Sequence, residues 1–284
     1  MLGAIYLDAD WNKAPAGRFY SWSHTLLSLL RRNTNHPVAF KALPRIGADV
    51  YKHREFALVE IAGKLIGIDC WDTFAPTSSC ERRGLFKGAL RDVSQILKIQ
   101  YFPCDYWTNF QLRTGIKVTP WTMFPTHSFP LESFSWRPGG KYLTAVTGRN
   151  DRFGRPEWVD FCQQFSTIYS GDGYKTRVAD KGYLEILAEC QWGLILKGLD
   201  RKHDGKNRRE VEFSSCGMPL ALNYCPTYPF EFTPGKHFVH LRSPEDIASL
   251  SEIDPLPFSA AAKDIYQRYF SPNGMSDLLL EVTK

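Results

Sequence analysis

Three short stretches in the second half of the chain combine glycine, arginine and lysine as a phosphate-bearing ligand requires. Gly148-Arg149, with Arg152 close behind, follows one apolar run, and Lys197-Gly198 follows another. Glycine lets the backbone approach a ligand closely, and the guanidinium fork takes two phosphate oxygens at once. The third stretch is Arg208-Arg209-Glu210-Val211-Glu212, in which Arg209 precedes Glu212 by three residues and Gly217 follows it by five. At that spacing Arg209 and Glu212 share a helix face. The arginine would neutralise a diphosphate, and the acid would accept from ribose hydroxyls, as acids do in dinucleotide sites. Each stretch also has a plainer reading, as a solvated loop arginine or a surface helical pair of little worth. What favours a ligand is that all three fall at the same end of successive strands.

Acids that could take a proton from a hydroxyl lie in the first half. Asp8 and Asp10 end the first apolar strand, Asp69 and Asp72 end a later one, and His24 lies near a helix start. Strand-end placement points to Asp8, Asp10 and Asp72 as general bases, although each residue type is equally a helix cap or turn former. The cysteine count is 7, odd and without a CxxC pair, so neither a disulfide framework nor a zinc site is indicated. His237 and His240 lie in a strand-like run, where a spacing of three puts them on opposite faces, and no metal site is expected there.

The elements that must position these residues form two α/β lobes. In the first half, Ala4 to Leu7 reads as a strand and Ser21 to Arg32 as a helix with a leucine stripe. Phe56 to Ile68 reads as a hairpin turning at Gly63-Lys64, Leu85 to Leu97 as a helix, and Ile99 to Phe102 as a strand. From Pro120 to Gly140, prolines interleave with Trp121, Phe124, Phe129, Phe134 and Trp136, which predicts a packed connector.

The second half alternates strands (Tyr142 to Thr147, Ser166 to Tyr169, Trp192 to Leu196, Pro219 to Leu222, Phe238 to Leu241) with helices. The helices are read at Trp158 to Phe165, Gly182 to Glu189, Arg209 to Cys216, Pro244 to Leu250 and Ala260 to Tyr269, before a Ser271-Pro272-Asn273-Gly274 break and a last amphipathic helix. That alternation predicts a parallel sheet with crossover helices, a Rossmann-like lobe. The expected domains are 1–125, a linker over 126–140, a ligand-binding lobe over 141–258, and C-terminal helices over 259–284.

The run from Tyr183 to Gly198, followed by Arg209-Glu210-Val211-Glu212 and Gly217-Met218-Pro219-Leu220, resembles GT-B nucleotide-sugar glycosyltransferases, nearest to exostosin-like and other single-domain families. The likeness covers about residues 141 to 284. It implies two Rossmann-like lobes facing across a cleft, with a final helix crossing back to the first lobe. It also implies a sugar transfer from a UDP- or GDP-sugar to a glycan hydroxyl. By the resemblance, Arg149 or Arg152, Lys197, Arg208 and Arg209 lie near the diphosphate, after the close approach at Gly148. Glu212 meets the donor ribose, and the loop from Gly171 through Gly173 and Tyr174 meets the nucleobase.

Asp204 stands eight residues before Glu212, where many retaining relatives carry an acid, so the anomeric outcome stays open. Asp8-Ala9-Asp10 has the form of the metal motif of the GT-A fold. Here no βαβ unit precedes it, so no metal cofactor is expected, and arginine, lysine and helix termini take that role.

Composition fits a soluble globular protein: hydrophobic residues are 43%, charged residues 23%, and 35 basic against 30 acidic residues give +5. That excess suits an anionic ligand and falls short of a dedicated nucleic-acid module. The longest apolar runs are too short to span a bilayer, and the start lacks a signal-peptide pattern, so a cytoplasmic location is expected, in the host if the enzyme is viral. Lobes this small are a trait of bacterial, phage or large-virus enzymes that build surface glycans. Two alternatives remain. One is transfer to modified bases in DNA, with Lys41, Arg45, Lys52, His53 and Arg54 lining a groove; the other is a non-catalytic nucleotide- or glycan-binding protein. Trp107, Trp121 and Trp136 would either stack on sugar rings or pack a hinge.

Overall fold

The computed structural model describes residues 3–7, 32, 34–35, 38–42, 56–61, 63–69, 75–82, 84–88, 90–99, 101, 104–122, 134–147, 157–158, 161, 166–169, 187–197 and 208–284. The chain divides into two compact units, Met1–Phe124 with Ser271–Lys284, and Pro125–Phe270. Both are α/β, and each is built on its own sheet.

The first unit holds β1 (Gly3–Leu7), β2 (Val38–Ala42), β3 (Phe56–Ile61), β4 (Lys64–Asp69), β5 (Val93–Lys98) and β6 (Lys117–Pro120), in the order β2-β1-β3-β4-β5-β6. β3 runs antiparallel to both β1 and β4, and the other pairings are parallel. The expected hairpin is β3–β4, closed at Gly63, whose φ of 78° is the left-handed value a tight turn needs.

The helix expected over Leu85 to Leu97 does not form. A single 3-10 turn, Leu85–Lys87, leads into β5, and the strand expected at Ile99 to Phe102 lies instead at Val93–Lys98. Phe86, Leu90, Val93 and Leu97 are spaced like a helical stripe, yet all four are buried without a helix joining them. The chain leaves helical geometry at Gly88 (φ −120°, ψ −109°), and pairing on both sides, with β4 and β6, holds Val93–Lys98 as a strand. Tertiary context overrides the local pattern here.

Two helices flank this sheet, α1 (Ala75–Arg82) and α2 (Asp105–Thr114). α2 ends at Gly115 in the left-handed conformation, with the Gly115 N–H donating to the Gln111 carbonyl. Trp107 and Phe110, three apart on its inner face, enter a core with Leu58, Phe86, Leu90, Val93, Ile96 and Val118. Of the helix expected at Ser21 to Arg32, residues 21–31 lie outside the described residues.

The second unit carries β7 (Tyr142–Thr147), β8 (Ser166–Tyr169), β9 (Cys190–Ile195), β10 (Leu220–Leu222) and β11 (Val239–His240), all parallel, in the order β11-β10-β9-β7-β8. All five lie within a residue or two of the runs read from sequence. α3 (Arg208–Cys216) packs against β9, β10 and α5 (Leu256–Ile265), and α5 also meets β10; α4 (Asp246–Ser249) lies between β11 and α5 in the chain. Gly193 in mid-β9 explains the close seat of α3: a Cβ there would fall 2.3 Å from the Phe213 ring. Ser259 of α5 donates to the Gly217 carbonyl at 2.6 Å, fixing the turn that ends α3.

The described part of the Pro- and aromatic-rich connector packs, as expected. Trp136 is buried, its backbone N–H donates to the Cys216 carbonyl, and its ring N–H donates to the Cys190 carbonyl.

α5 runs into a π-helical turn, Tyr266–Phe270. The Ser271-Pro272 break is the start of the last helix, α6 (Pro272–Val282). Ser271 is the N-cap, with its Oγ accepting from the Gly274 N–H, and Pro272 is in the first turn. α6 belongs to the first unit: Gln95 donates to the Val282 carbonyl, Lys64 to those of Thr283 and Lys284, and Asn273 accepts from the Thr34 N–H at 2.7 Å. α5 does not go with it, because it packs on α3. No helix among the described residues is long and apolar enough to cross a membrane.

Candidate functional site

The strand order of the second unit singles out one edge of its sheet. From β7 the chain passes to β8 on one side, then returns to β9, β10 and β11 on the other. β7 and β9 are therefore the adjacent strands at which the winding reverses. In open parallel sheets the crevice beyond the carboxyl ends of such a pair is where ligands bind, because no connection crosses it and helix N-termini surround it.

The residues expected to serve a ligand follow these strands. Lys197 comes two residues after β9, half-buried, and its backbone N–H donates to Asn223 Oδ1 at 2.7 Å. Asn223 is the first residue after β10, so this bond ties together the segments leaving two neighbouring strands. α3, the crossover helix from β9 to β10, opens at the same edge with Arg208 and Arg209. Arg209 is half-buried, and Glu212 is 6% exposed. Glu212 is thus not a solvated surface acid: it lies inside the unit, one turn below the helix start.

Other expected positions lie outside the described residues: Gly148, Arg149 and Arg152 after β7, Gly173 and Tyr174 after β8, and Asp204 before α3. So do Asp8, Asp10 and Asp72 in the first unit, together with His24, Arg45, Lys52, His53 and Arg54.

Sequence reading missed Glu210. It is fully buried in the first turn of α3, where one carboxylate oxygen accepts from the Tyr224 hydroxyl and the other from the Tyr228 hydroxyl. Residues two apart on a helix point about 200° from each other, so Glu210 and Glu212 serve opposite faces. Nothing in the local pattern separates the two acids; the tyrosines that distinguish Glu210 arrive after the next strand.

In the first unit Asp69, a strand-end acid not among the expected bases, is fully buried, with Oδ1 2.9 Å from Lys98 Nζ and Oδ2 accepting from the Thr77 hydroxyl at 2.5 Å. A carboxylate so engaged is a structural group at the carboxyl ends of β4 and β5. Trp107, Trp121 and Trp136 are each at most 4% exposed, so they pack and present no stacking face.

Two buried thiols of the second unit, Cys190 and Cys216, are poor nucleophiles. Burial pushes Cys190 and Cys216 up to about 12, the neighbouring Glu189 adding to the effect at Cys190. His237 is held below the ordinary histidine value, first by burial and then by Lys236, and its Nδ1 accepts from the Thr233 N–H. Buried polar atoms without a hydrogen-bond partner among the described residues are Trp121 Nε1, Trp192 Nε1 and Ser214 Oγ.

No protein-family model matches the sequence, and no curated protein matches it. Among solved structures the chain is similar to the GtfA/B complex, at 14% identity and a TM-score of 0.47, over 95% of this chain and 62% of that one. It is also similar to the pneumococcal O-GlcNAc transferase GtfA in complex with UDP and GlcNAc, at 12% identity and a TM-score of 0.35, over 70% of this chain and 46% of that one. The chain thus spans less than two thirds of the length of either neighbour.

Proposed function

We propose that this protein is a GT-B-like glycosyltransferase that moves a sugar from a nucleoside diphosphate, UDP or GDP, to a hydroxyl of a glycan, with the donor held by the second unit. The observation that carries this reading is the winding reversal at β7 and β9. There Lys197, tied to Asn223, and the Arg208-Arg209 opening of α3 leave the sheet at one edge. A dinucleotide-like ligand with a doubly charged leaving group suits that edge, because cationic side chains and helix N–H groups stabilise the charge that develops.

In this reading Arg149, Arg152, Lys197, Arg208 and Arg209 neutralise the diphosphate in place of a metal ion. Gly148 permits the close approach, Glu212 accepts from the ribose hydroxyls, and Gly173 and Tyr174 border the base. The acceptor oxygen bonds to the anomeric carbon as the bond from that carbon to the diphosphate oxygen breaks, the electron pair leaving with the diphosphate. The hydroxyl proton goes to a carboxylate, for which Asp8, Asp10 and Asp72 are the candidates. Buried thiols at Cys190 and Cys216 fit a reducing compartment, the cytoplasm.

The test is a thermal-shift screen of the whole chain against UDP, GDP, ADP, CMP and their sugar conjugates, with and without EDTA. A ligand at a hundred times its Kd stabilises by about 2.7 kcal/mol, a shift of several degrees. A selective shift by one nucleoside diphosphate, unchanged by EDTA, is the expected result. The absence of any nucleotide shift would overturn the reading.

A further inference from the structure

Glu210 is an acid with no part in the proposed transfer, and its surroundings are built around it. A carboxylate taken fully out of water must have its oxygens satisfied by donors, or its desolvation is a large uncompensated loss. Here Tyr224 serves one oxygen and Tyr228 the other. Neither tyrosine belongs to α3: both come after β10, 14 and 18 residues along the chain from Glu210.

The bonds join what must be held together at this edge. Tyr224 stands next to Asn223, whose side chain takes the Lys197 N–H. A continuous path therefore runs from the segment after β9, through the segment after β10, to the first turn of α3. The far end is anchored as well. The Tyr228 ring is stacked on Phe230 (4.9 Å between centroids, 14° between planes) and meets Phe232 and Phe270 edge-on. A rigid ring holding a carboxylate leaves the opening turn of α3 little freedom, and that turn carries Arg208 and Arg209.

We propose that Glu210 is a positioning residue for diphosphate recognition: clamped by Tyr224 and Tyr228, it fixes the first turn of α3 so that Arg209 and the turn's N–H groups are set before the ligand arrives. This inference rests on the donor-site reading of the second unit. Its physical content is preorganisation, the ordering of groups in the free protein so that binding does not have to order them. Loosening the clamp acts on the phosphates and leaves the base and ribose contacts alone.

The experiment is calorimetric titration of the full chain, wild type and variants, with the nucleoside diphosphate that binds and with the corresponding nucleoside, alongside melting temperatures. Tyr224→Phe and Tyr228→Phe each remove one hydroxyl and keep the ring. Each is expected to weaken the diphosphate about ten-fold, equivalent to roughly 1.4 kcal/mol, with nucleoside affinity unchanged. Glu210→Gln keeps an acceptor for one phenol and offers an N–H to the other, so it is expected to retain most of the affinity that Glu210→Ala loses. Diphosphate affinity at the wild-type level in both phenylalanine variants would overturn the inference. So would an equal loss for nucleoside and diphosphate, which marks general loosening. If one phenylalanine variant fails to fold, the other and Glu210→Gln decide the matter. Wild-type protein that binds no nucleoside diphosphate would overturn the donor-site reading and this inference with it, whereas wild-type binding with unaltered variants overturns the inference alone.

Discussion

Asp69 and Lys98 are register partners in the parallel ladder of β4 and β5, and their side chains meet again beyond it, Nζ 2.9 Å from Oδ1 with both groups out of water. Removing one partner strands a charge inside the first unit, which costs about 3–5 kcal/mol, while replacing both with apolar groups is close to neutral. Asp69→Leu or Lys98→Met alone should lower the urea midpoint strongly, and the double variant should recover most of the loss. Additive losses would show that the pair is not the coupled unit the geometry describes.

Gly193 sets the distance between α3 and the second sheet. With a Cβ 2.3 Å from the Phe213 ring, Gly193→Ala must push the helix or the ring aside, a destabilisation of about 1–3 kcal/mol. Combining it with Phe213→Leu frees space beside the new methyl group and should return part of the stability. Equilibrium denaturation of the single and double variants reads the difference directly.

His237 gives the second unit a dependence on acid. Burial and Lys236 hold its folded pKa below the unfolded value of 6.5, so the folded state favours the neutral ring. The corresponding stability is fully present above about pH 6.5 and is lost as pH falls through the folded pKa, because the unfolded chain binds the proton more readily. Melting temperature should fall more steeply below pH 6.5 in the wild type than in His237→Asn, whose Oδ1 keeps an acceptor for the Thr233 N–H. Parallel curves for the two proteins would count against this assignment.

Arg209 and Glu212 should separate in kinetics. If Arg209 stabilises the departing diphosphate, Arg209→Ala lowers kcat about 10- to 100-fold and changes donor affinity less, as expected for an interaction that strengthens in the transition state. Glu212→Ala should instead weaken donor binding. Because Glu212 is buried, its variant is to be compared at matched folded fraction, fixed by a melting curve. Unchanged binding and turnover in both variants would place the donor elsewhere.

Legibility from sequence differed between the units for a physical reason. The strands of the second are short apolar runs cut off by glycine and proline, and β9 and β10 at their centre are almost wholly buried, so their residues alone announce them. In the first unit, Phe86, Leu90, Val93 and Leu97 imitate a helix that β4 and β6 do not allow, and α2 went unread although Gly115 marks its end. The site divides likewise. Lys197, Arg209 and Glu212 follow from strand ends and helix spacing, which are local. The partners of Glu210 lie beyond a strand, and Lys98 is 29 residues from Asp69, so both clusters exist only once the sheets have formed.

The return of Ser271–Lys284 to the first unit has a consequence for the order in which the protein is made. The second unit is one uninterrupted stretch, Pro125–Phe270, complete in sequence before the last helix leaves the ribosome. The first unit, begun earlier, must wait for α6 to supply the Val282, Thr283 and Lys284 carbonyls to Gln95 and Lys64. Domains commonly fold as units during synthesis, the earliest-made first; here the inserted unit can finish before the one that encloses it in the chain. A chain cut after Phe270 would thus keep all of the second unit's sequence while leaving Gln95 and Lys64 of the first without those carbonyls.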